Sequence, residues 1–154
     1  MADLEALEDW AGALLARLSP SDRRRLNTTI GRDLRRNQQR RIGAQRNPDG
    51  SAYAPRKPRK NLRGKAGRIK RQMFTKLKQA RHLKLQSTPN EIAIGFVGRA
   101  ARIARVHQRG LRDRPEKGAP DVQYARRELL GFTDADLDLI RDALLEHLVG
   151  DGAL

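Results

Sequence analysis

The side chains that most often carry enzymatic chemistry are few in this sequence and widely separated. Its three histidines, His82, His107 and His147, lack both the short spacing of metal ligands and a serine in a nucleophile-elbow pattern. A lone histidine in such a setting is more often a hydrogen-bonding structural residue than a catalytic base. The chain has no cysteine, which excludes a disulfide scaffold, a thiolate zinc site and a cysteine nucleophile.

The other candidates for chemistry have simpler explanations. Asp134, Asp136 and Asp138 lie at the start of a predicted helix, where capping and the helix dipole account for them. The glycines do not have the spacing of a phosphate-binding loop. A nuclease would need clustered Asp, Glu and His ligands, which this sequence lacks. We therefore expect no enzyme, no metal site and no cofactor.

The basic charge is concentrated in the middle of the chain. The 154 residues include 33 Lys+Arg and 18 Asp+Glu, a formal net charge of +15. Residues 1–20 carry a net charge of −3, residues 21–120 carry +23 and residues 121–154 carry −5. The middle can face a polyanion such as nucleic acid, or it can receive the acidic ends of a neighbouring subunit. A solvated basic face that only aids solubility is the third interpretation.

Composition also limits the class of protein. Hydrophobic residues make up 38% and aromatic residues 4%, so we expect one domain with a modest aliphatic core that a partner chain helps to complete. No apolar run is long enough to cross a membrane. The acidic N-terminus is unlike a signal peptide, and we expect a soluble intracellular protein.

The first half of the chain reads as two helices followed by a basic arm. The leucine spacing from Leu4 to Leu18 predicts an amphipathic helix. Ser19 should cap a second helix that begins at Pro20 and runs to about Gln45, with Asp22 as the reciprocal partner of a capping box. Asn47-Pro48-Asp49-Gly50 predicts a turn. Residues 51–67 show no periodicity and are interpreted as a basic loop or arm, ordered on binding.

The second half predicts a small sheet between helices. Ile69, Met73, Leu77 and Ala80 have helical spacing, residues 82–97 read as a β-hairpin, and residues 99–109 favour a helix. Residues 110–120 are predicted to be a loop. Thr133 to Asp136 form a capping box before a closing helix. The fold class is therefore α+β: a small antiparallel sheet packed with long N-terminal helices and a C-terminal helix. Residues 1–46 would be a helical part and 68–149 the α+β core of a single domain.

Nucleic-acid binding has only electrostatic support. The stacking platform of single-strand binders is absent, and there is no zinc finger, basic zipper or RNA-recognition signature. Any contact with DNA would be independent of base sequence. A nonspecific basic DNA-binding protein remains the alternative function.

Four strings, in their order and spacing, resemble the phage virion morphogenesis family of contractile-tailed temperate phages. They are NPDGSAYAPRK, RQMFTKLKQARHLK, EIAIGFVGRAARIARVHQRGL and YARRELLGFTDADLDLIRDALLEHL. The resemblance covers roughly residues 1–149. It implies a structural, non-enzymatic protein that completes the tail and joins it to the head, with a fold similar to tail-terminator and neck proteins.

The resemblance also implies the partners. They would be further copies of this chain in a ring, a hexamer by the sixfold symmetry of a tail tube, together with tail tube, sheath or neck and connector proteins. The protein would be assembled in the host cytoplasm and become part of the virion tail or neck. It would touch no membrane, and a sequence-independent contact with the phage DNA stays open.

Two sets of residues follow as site candidates. Contacts to another subunit or to DNA are expected from basic side chains of the second helix and of the arm: Arg35, Arg36, Arg40, Arg41, Arg56, Lys57, Arg59 and Lys60. A structural role is expected for His107, Gln108 and Gly110, as a turn packed at the sheet edge, and for Leu130 and Gly131.

Overall fold

The chain has the expected α+β composition. A computed structural model describes residues 2–57 and 72–150. The helices of this part, α1 to α4, span Ala2–Leu15, Pro20–Gly43, Arg99–Arg109 and Asp134–Gly150. The strands, β1 to β4, span Leu83–Ser87, Ile92–Phe96, Arg112–Asp113 and Val122–Gln123. They form two-stranded sheets, β1 with β2 and β3 with β4, which confirms the predicted fold class.

The boundary between α1 and α2 follows the capping signal. The backbone N–H of Asp22 donates to the Ser19 hydroxyl oxygen at 3.3 Å, and α2 begins at Pro20 as predicted. Proline suits this first position because its missing N–H would have no helical partner there. After α2, the turn at 47–50 is also confirmed, since the Gly50 N–H donates to the Asn47 carbonyl at 2.9 Å. Gly50 has a φ of 88°, a left-handed conformation that glycine adopts without strain.

The predicted hairpin and the helix after it are both present. Backbone bonds from Thr88 N–H to the Glu91 carbonyl and from Val97 N–H to the His82 carbonyl close the two ends of the β1–β2 pair. The following helix, α3, ends at Gly110, whose φ of 62° and ψ of 58° are those of a left-handed C-cap.

Two predictions of secondary structure were wrong. The helix expected from Ile69 to Ala80 is a series of turns over its described part, residues 72–80. Phe74 has a φ of 67°, which no right-handed helix allows, and the Met73 N–H donates to the Gln45 side chain instead of a helical carbonyl. The expected loop 110–120 begins with β3, which pairs antiparallel with β4. A strand of two residues is too short to show the alternation of apolar and polar residues from which strands are predicted.

The described residues divide into two compact units, each built from segments that are distant in sequence. The first unit takes the residues up to 37, residues 85–94 and those from 132 onward, and the second takes residues 38–84 and 95–131. The sequence predicted one domain with a helical part ahead of an α+β core. That organisation stays a prediction. The two compact units are interleaved along the chain, and each has its own apolar cluster.

The first unit packs α1, α2, β2 and α4 around an aliphatic cluster. Its buried members are Leu26, Ile30, Leu34 and Leu144. The capping box of α4 is complete: the Thr133 N–H donates to Asp136 Oδ2 at 3.0 Å, and the Asp136 N–H donates to Thr133 Oγ1 at 3.1 Å. Asp136 is 1% exposed and also accepts a hydrogen bond from Asn37 Nδ2 at 3.0 Å. A capping carboxylate thus joins α4 to α2.

The second unit is built around Ile42, Tyr53, Ala104 and Leu129. Tyr53 is 5% exposed, and its hydroxyl donates to the Glu128 carbonyl at 3.0 Å. The predicted basic loop or arm, residues 51–67, is thus anchored by Tyr53, whereas Ser51, Ala52 and Pro55 are exposed. Residues 58–67 lie outside the described part of the chain.

Candidate functional site

The Gln108 side chain connects two of the predicted structural segments in the second unit. Its Oε1 accepts the backbone N–H groups of Leu129 and Leu130 at 2.8 and 2.9 Å, and its Nε2 donates to the Leu130 carbonyl at 2.9 Å. Gln38 makes the equivalent pair of bonds to Gly131, with its Nε2 donating to the carbonyl at 3.1 Å and its Oε1 accepting the N–H at 3.3 Å. The two amides hold the segment 129–131 against α3 and α2.

Two glycines of the candidate set lie where a side chain has no room. A Cβ on Gly131 would come within 2.5 Å of Pro48 Cγ. A Cβ on Gly110 would lie 3.0 Å from the Arg126 backbone nitrogen, and the residue also has positive φ. His107, Gln108 and Gly110 thus lie at the C-terminal end of α3, and the structure brings Gln108 together with Leu130.

His107 lies between two aromatic rings and a buried arginine. Its ring centroid is 4.8 Å from that of Phe74 and 5.0 Å from that of Tyr124, both edge-on. Arg127 is 5% exposed, and its Nη1 lies 3.3 Å from His107 Nδ1. The rest of the guanidinium donates to the carbonyls of Ala54 and Pro55 at 2.7 and 3.0 Å. Arg127 therefore fixes residues 54 and 55 of the predicted basic arm.

The electrostatics of this cluster keep His107 neutral. Burial, together with the positive charges of Arg127 and Arg56, lowers the pKa of His107 to about 4. Burial, with a contribution from Arg56, also lowers the pKa of Arg127 from its ordinary value. A neutral imidazole can accept a hydrogen bond from Arg127 at Nδ1, whereas an imidazolium cannot. The geometry suits a structural acceptor.

The basic candidates on α2 differ in their surroundings. The Arg41 Nη1 donates to the carbonyls of Arg46 and Glu128 at 3.0 and 2.9 Å, and its Nη2 donates to the Leu129 carbonyl at 2.8 Å. Arg41 was predicted to contact a partner or DNA, but its guanidinium serves the fold of the second unit. Arg36 is exposed and lies 3.3 Å from Asp33, Arg40 is exposed, and Arg35 is half-buried.

A groove of about 810 Å³ on the second unit gathers basic side chains that are far apart in sequence. Arg56 and Lys57 of the predicted set line it, while Arg59 and Lys60 lie outside the described residues. Sequence reasoning missed its other cations: Arg99, Arg102, Arg114 and Arg127. The available signal was the helix RAARIARVHQR, which has four arginines and no acid.

The groove also has apolar walls. Ile103 of α3 lines it and is 49% exposed. Val106, Phe74 and Tyr124 lie around it. The carboxylate of Asp113 is paired with Arg102, and this hydrogen bond lowers the pKa of Asp113. The groove can therefore bind a surface that is acidic and partly apolar.

The described residues contain no group of three or more His, Cys, Asp or Glu side chains placed to hold a metal ion. None of the helices in residues 2–57 and 72–150 combines the length and apolar character of a membrane span.

Comparison with known proteins identifies the family. The model of the phage virion morphogenesis family matches residues 2–149. Tail completion protein S of Escherichia phage P2 is 42% identical over 149 residues, which cover 96% of this chain and 99% of that protein. No solved structure matches at a significant level. The resemblance inferred from the four sequence strings is confirmed, and the chain belongs to the phage virion morphogenesis family.

Proposed function

We propose that this protein completes the tail of a phage as a structural component and forms a ring at the head-proximal end of the tail. The observation that carries the proposal is the 42% identity to a tail completion protein along nearly the full length of both chains. This identity extends over 96% of this chain and 99% of that protein, which supports the same role for both proteins. The ring, a hexamer to match a sixfold tail tube, is the more specific part of the proposal.

The charge distribution supports assembly. A ring needs heterologous contacts, in which one patch of a subunit binds a different patch of the next. Here the ends of the chain carry net charges of −3 and −5 and the middle carries +23, so opposite charges stand on different segments of each copy. Complementary patches of this kind speed encounter and fix orientation.

The ring would contact the tail tube, sheath or neck proteins above and below it. Arg36, Arg40, Arg56 and Lys57 have exposed side chains and remain candidates for these contacts or for the DNA that passes through the ring. No step of this function requires catalysis, and we propose no enzymatic activity. The protein would be made in the host cytoplasm and end in the tail of the virion.

Sizing by multi-angle light scattering tests the proposal, with the purified protein alone and with tail tubes of the phage that encodes it. We expect a ring of about six copies, either in solution or on the tube end. A monomer or dimer that never attaches to tails, yet binds duplex DNA with a steep dependence on salt, would overturn the proposal. That outcome would establish the alternative of a nonspecific DNA-binding protein.

A further inference from the structure

Helix α4 carries a row of exposed carboxylates. Asp134, Asp138, Asp142 and Glu146 follow one another at intervals of four residues, and all four are exposed. Residues four apart lie on the same side of a helix, so these charges form one stripe. Like charges at this spacing repel one another, and Arg141 pairs with Asp138 at 3.3 Å. The stripe is therefore a surface of net negative charge.

Two large apolar side chains accompany the stripe. Phe132, just before α4, is 54% exposed, and Leu145, beside Glu146, is 45% exposed. The described residues have two other exposed large hydrophobic side chains, Val97 at 42% and Ile103 at 49%. These two lie just before α3 and on α3, beside its arginines. Exposed apolar side chains rimmed by charges are typical of protein–protein interfaces.

The two surfaces complement each other in charge. Helix α3 has arginines at 99, 102, 105 and 109 and no acidic residue, while α4 has five acidic residues and one arginine. The groove beside α3 adds Arg56, Lys57 and Arg114. Phe132 and Leu145 of the α4 surface can enter this groove, while the α4 carboxylates pair with the guanidinium groups that line it.

We propose that the acidic face of α4 in one copy docks in the arginine groove beside α3 in a second copy. The inference rests on the proposed function, because it names the contact that builds the ring. The two surfaces are different, so each copy offers one to the next subunit and the other to the previous one. This is the heterologous arrangement that closes into a ring.

Two other occupants fit the groove less well. Helix α1 is also acidic, with Asp3, Glu5, Glu8 and Asp9, but the described chain has no exposed large hydrophobic side chain there. Duplex DNA would satisfy the arginines and leave Ile103 without an apolar partner. The α4 face supplies both the charge and the apolar contact.

Paired charge reversals test the docking. The first variant, Asp142→Arg with Glu146→Arg, changes the α4 stripe near the helix C-terminus, where positive charge suits the dipole. The second, Arg56→Glu with Arg99→Glu, changes the groove. We expect each variant alone to self-associate at least tenfold more weakly than the wild type, by light scattering or by binding to tail tubes. An equimolar mixture of the two should assemble again, because wild-type surfaces then meet each other and reversed surfaces meet each other.

A matched control uses the same change of charge at α1, Glu5→Arg with Asp9→Arg, which should assemble as the wild type does. Circular dichroism melting establishes that each variant folds. If the α4 variant does not fold, the neutral change Asp142→Asn with Glu146→Gln takes its place. This neutral variant should weaken assembly less than the charge reversal would.

The results separate the two proposals. The docking is overturned if the α4 variant assembles like the wild type, if the α1 control dissociates equally, or if the mixture fails to assemble. In each of these cases the wild-type ring, and with it the proposed function, still stands. A wild-type protein that remains monomeric both alone and with tails overturns the function and the docking together.

Discussion

At the scale of single residues, His107 lies at the centre of a packed cluster in the second unit. Its imidazole packs between Phe74 and Tyr124, and its Nδ1 faces the guanidinium of Arg127. Arg127 in turn donates to the carbonyls of Ala54 and Pro55, within the predicted basic arm. The histidine is therefore part of a packed structural cluster, and its charge state matters because it affects folding.

The free energy of unfolding should depend on pH because His107 is buried beside Arg127. The pKa of His107 is lowered to about 4, so between pH 6.5 and 4 the unfolded chain binds a proton that the folded chain does not. The free energy of unfolding should fall as the pH falls, by about 2 kcal/mol between pH 7 and 5 from this residue. Urea unfolding at both pH values measures the slope, and His107→Gln should remove this part of it. A midpoint near 6.5 for the His107 ring protons in NMR would contradict the prediction.

Gln108 offers a second test at the scale of one side chain. Gln108→Ala leaves the N–H groups of Leu129 and Leu130 without their acceptor, next to a leucine that is 0% exposed. We expect a loss of about 2 kcal/mol, since an unsatisfied polar group in a partly buried site costs about 1–3 kcal/mol. The urea midpoint measures the loss. Gln79→Ala, at an exposed position, should stay within about 0.5 kcal/mol of wild type, and an equal effect of both changes would refute the assignment.

At the scale of elements, two glycines inside helices should respond in opposite ways to alanine. A Cβ on Gly12 of α1 meets nothing within 4 Å, so Gly12→Ala should raise the free energy of unfolding by up to ~1 kcal/mol. A Cβ on Gly31 of α2 would lie 2.5 Å from Leu85 Cδ1 and 3.1 Å from Ile92 Cγ2. The Leu85 and Ile92 side chains would have to move out of their packed positions, and we expect Gly31→Ala to lower stability by about 1–3 kcal/mol. Thermal melting of the two variants decides this, and a stabilising Gly31→Ala would show that the hairpin packs loosely on α2.

The elements that could be predicted are those specified by local sequence. Apolar periodicity and caps located α1, α2, α4 and the β1–β2 hairpin, because each signal lies within one turn or one strand. The errors arose where distant contacts decide the conformation. Tyr53 joins a core through the Glu128 carbonyl, 75 residues away, and Met73 is held by the side chain of Gln45. No periodicity in residues 51–80 could reveal these partners.

Prediction of the candidate site from the sequence was limited in the same way, because distant contacts build it. The role of the segment near Gln108 could be expected from the family resemblance, but its bonds to residues 129 and 130 depend on the fold. The basic groove was only partly visible in the sequence. Arg56 and Arg99 are 43 positions apart, and charge counted along the chain does not show that they line one surface. Arg40 and Arg41 look equivalent in the sequence. In the structure, the Arg41 guanidinium donates hydrogen bonds to backbone carbonyls of the second unit, whereas Arg40 is exposed.

At the scale of the whole molecule, the net charge of +15 conceals the opposite signs that assembly can use. A chain with this surplus repels its own copies over distance unless acidic surfaces are presented in the right place. The acidic residues are concentrated toward the two ends of the chain, and α4 exposes four of them in one row. In the docking proposed above, attraction between copies would be local and directional, while repulsion is general. This combination would favour one docking geometry over nonspecific aggregation.

The dependence of assembly on salt concentration should separate charge attraction between docking surfaces from the general repulsion between basic chains. Raising the salt concentration from about 0.1 M to 1 M shortens the Debye length from ~10 Å to ~3 Å and screens exposed charge pairs. If charge complementarity orders the subunits, we expect the concentration for half-assembly to rise at least tenfold, measured by light scattering on nuclease-treated protein. The melting temperature of the dilute, unassembled chain should change by only a few degrees, because its cores are apolar. Assembly that strengthens with salt would instead show that apolar contacts such as Ile103 and Leu145 dominate, and that general repulsion between basic chains is what salt relieves.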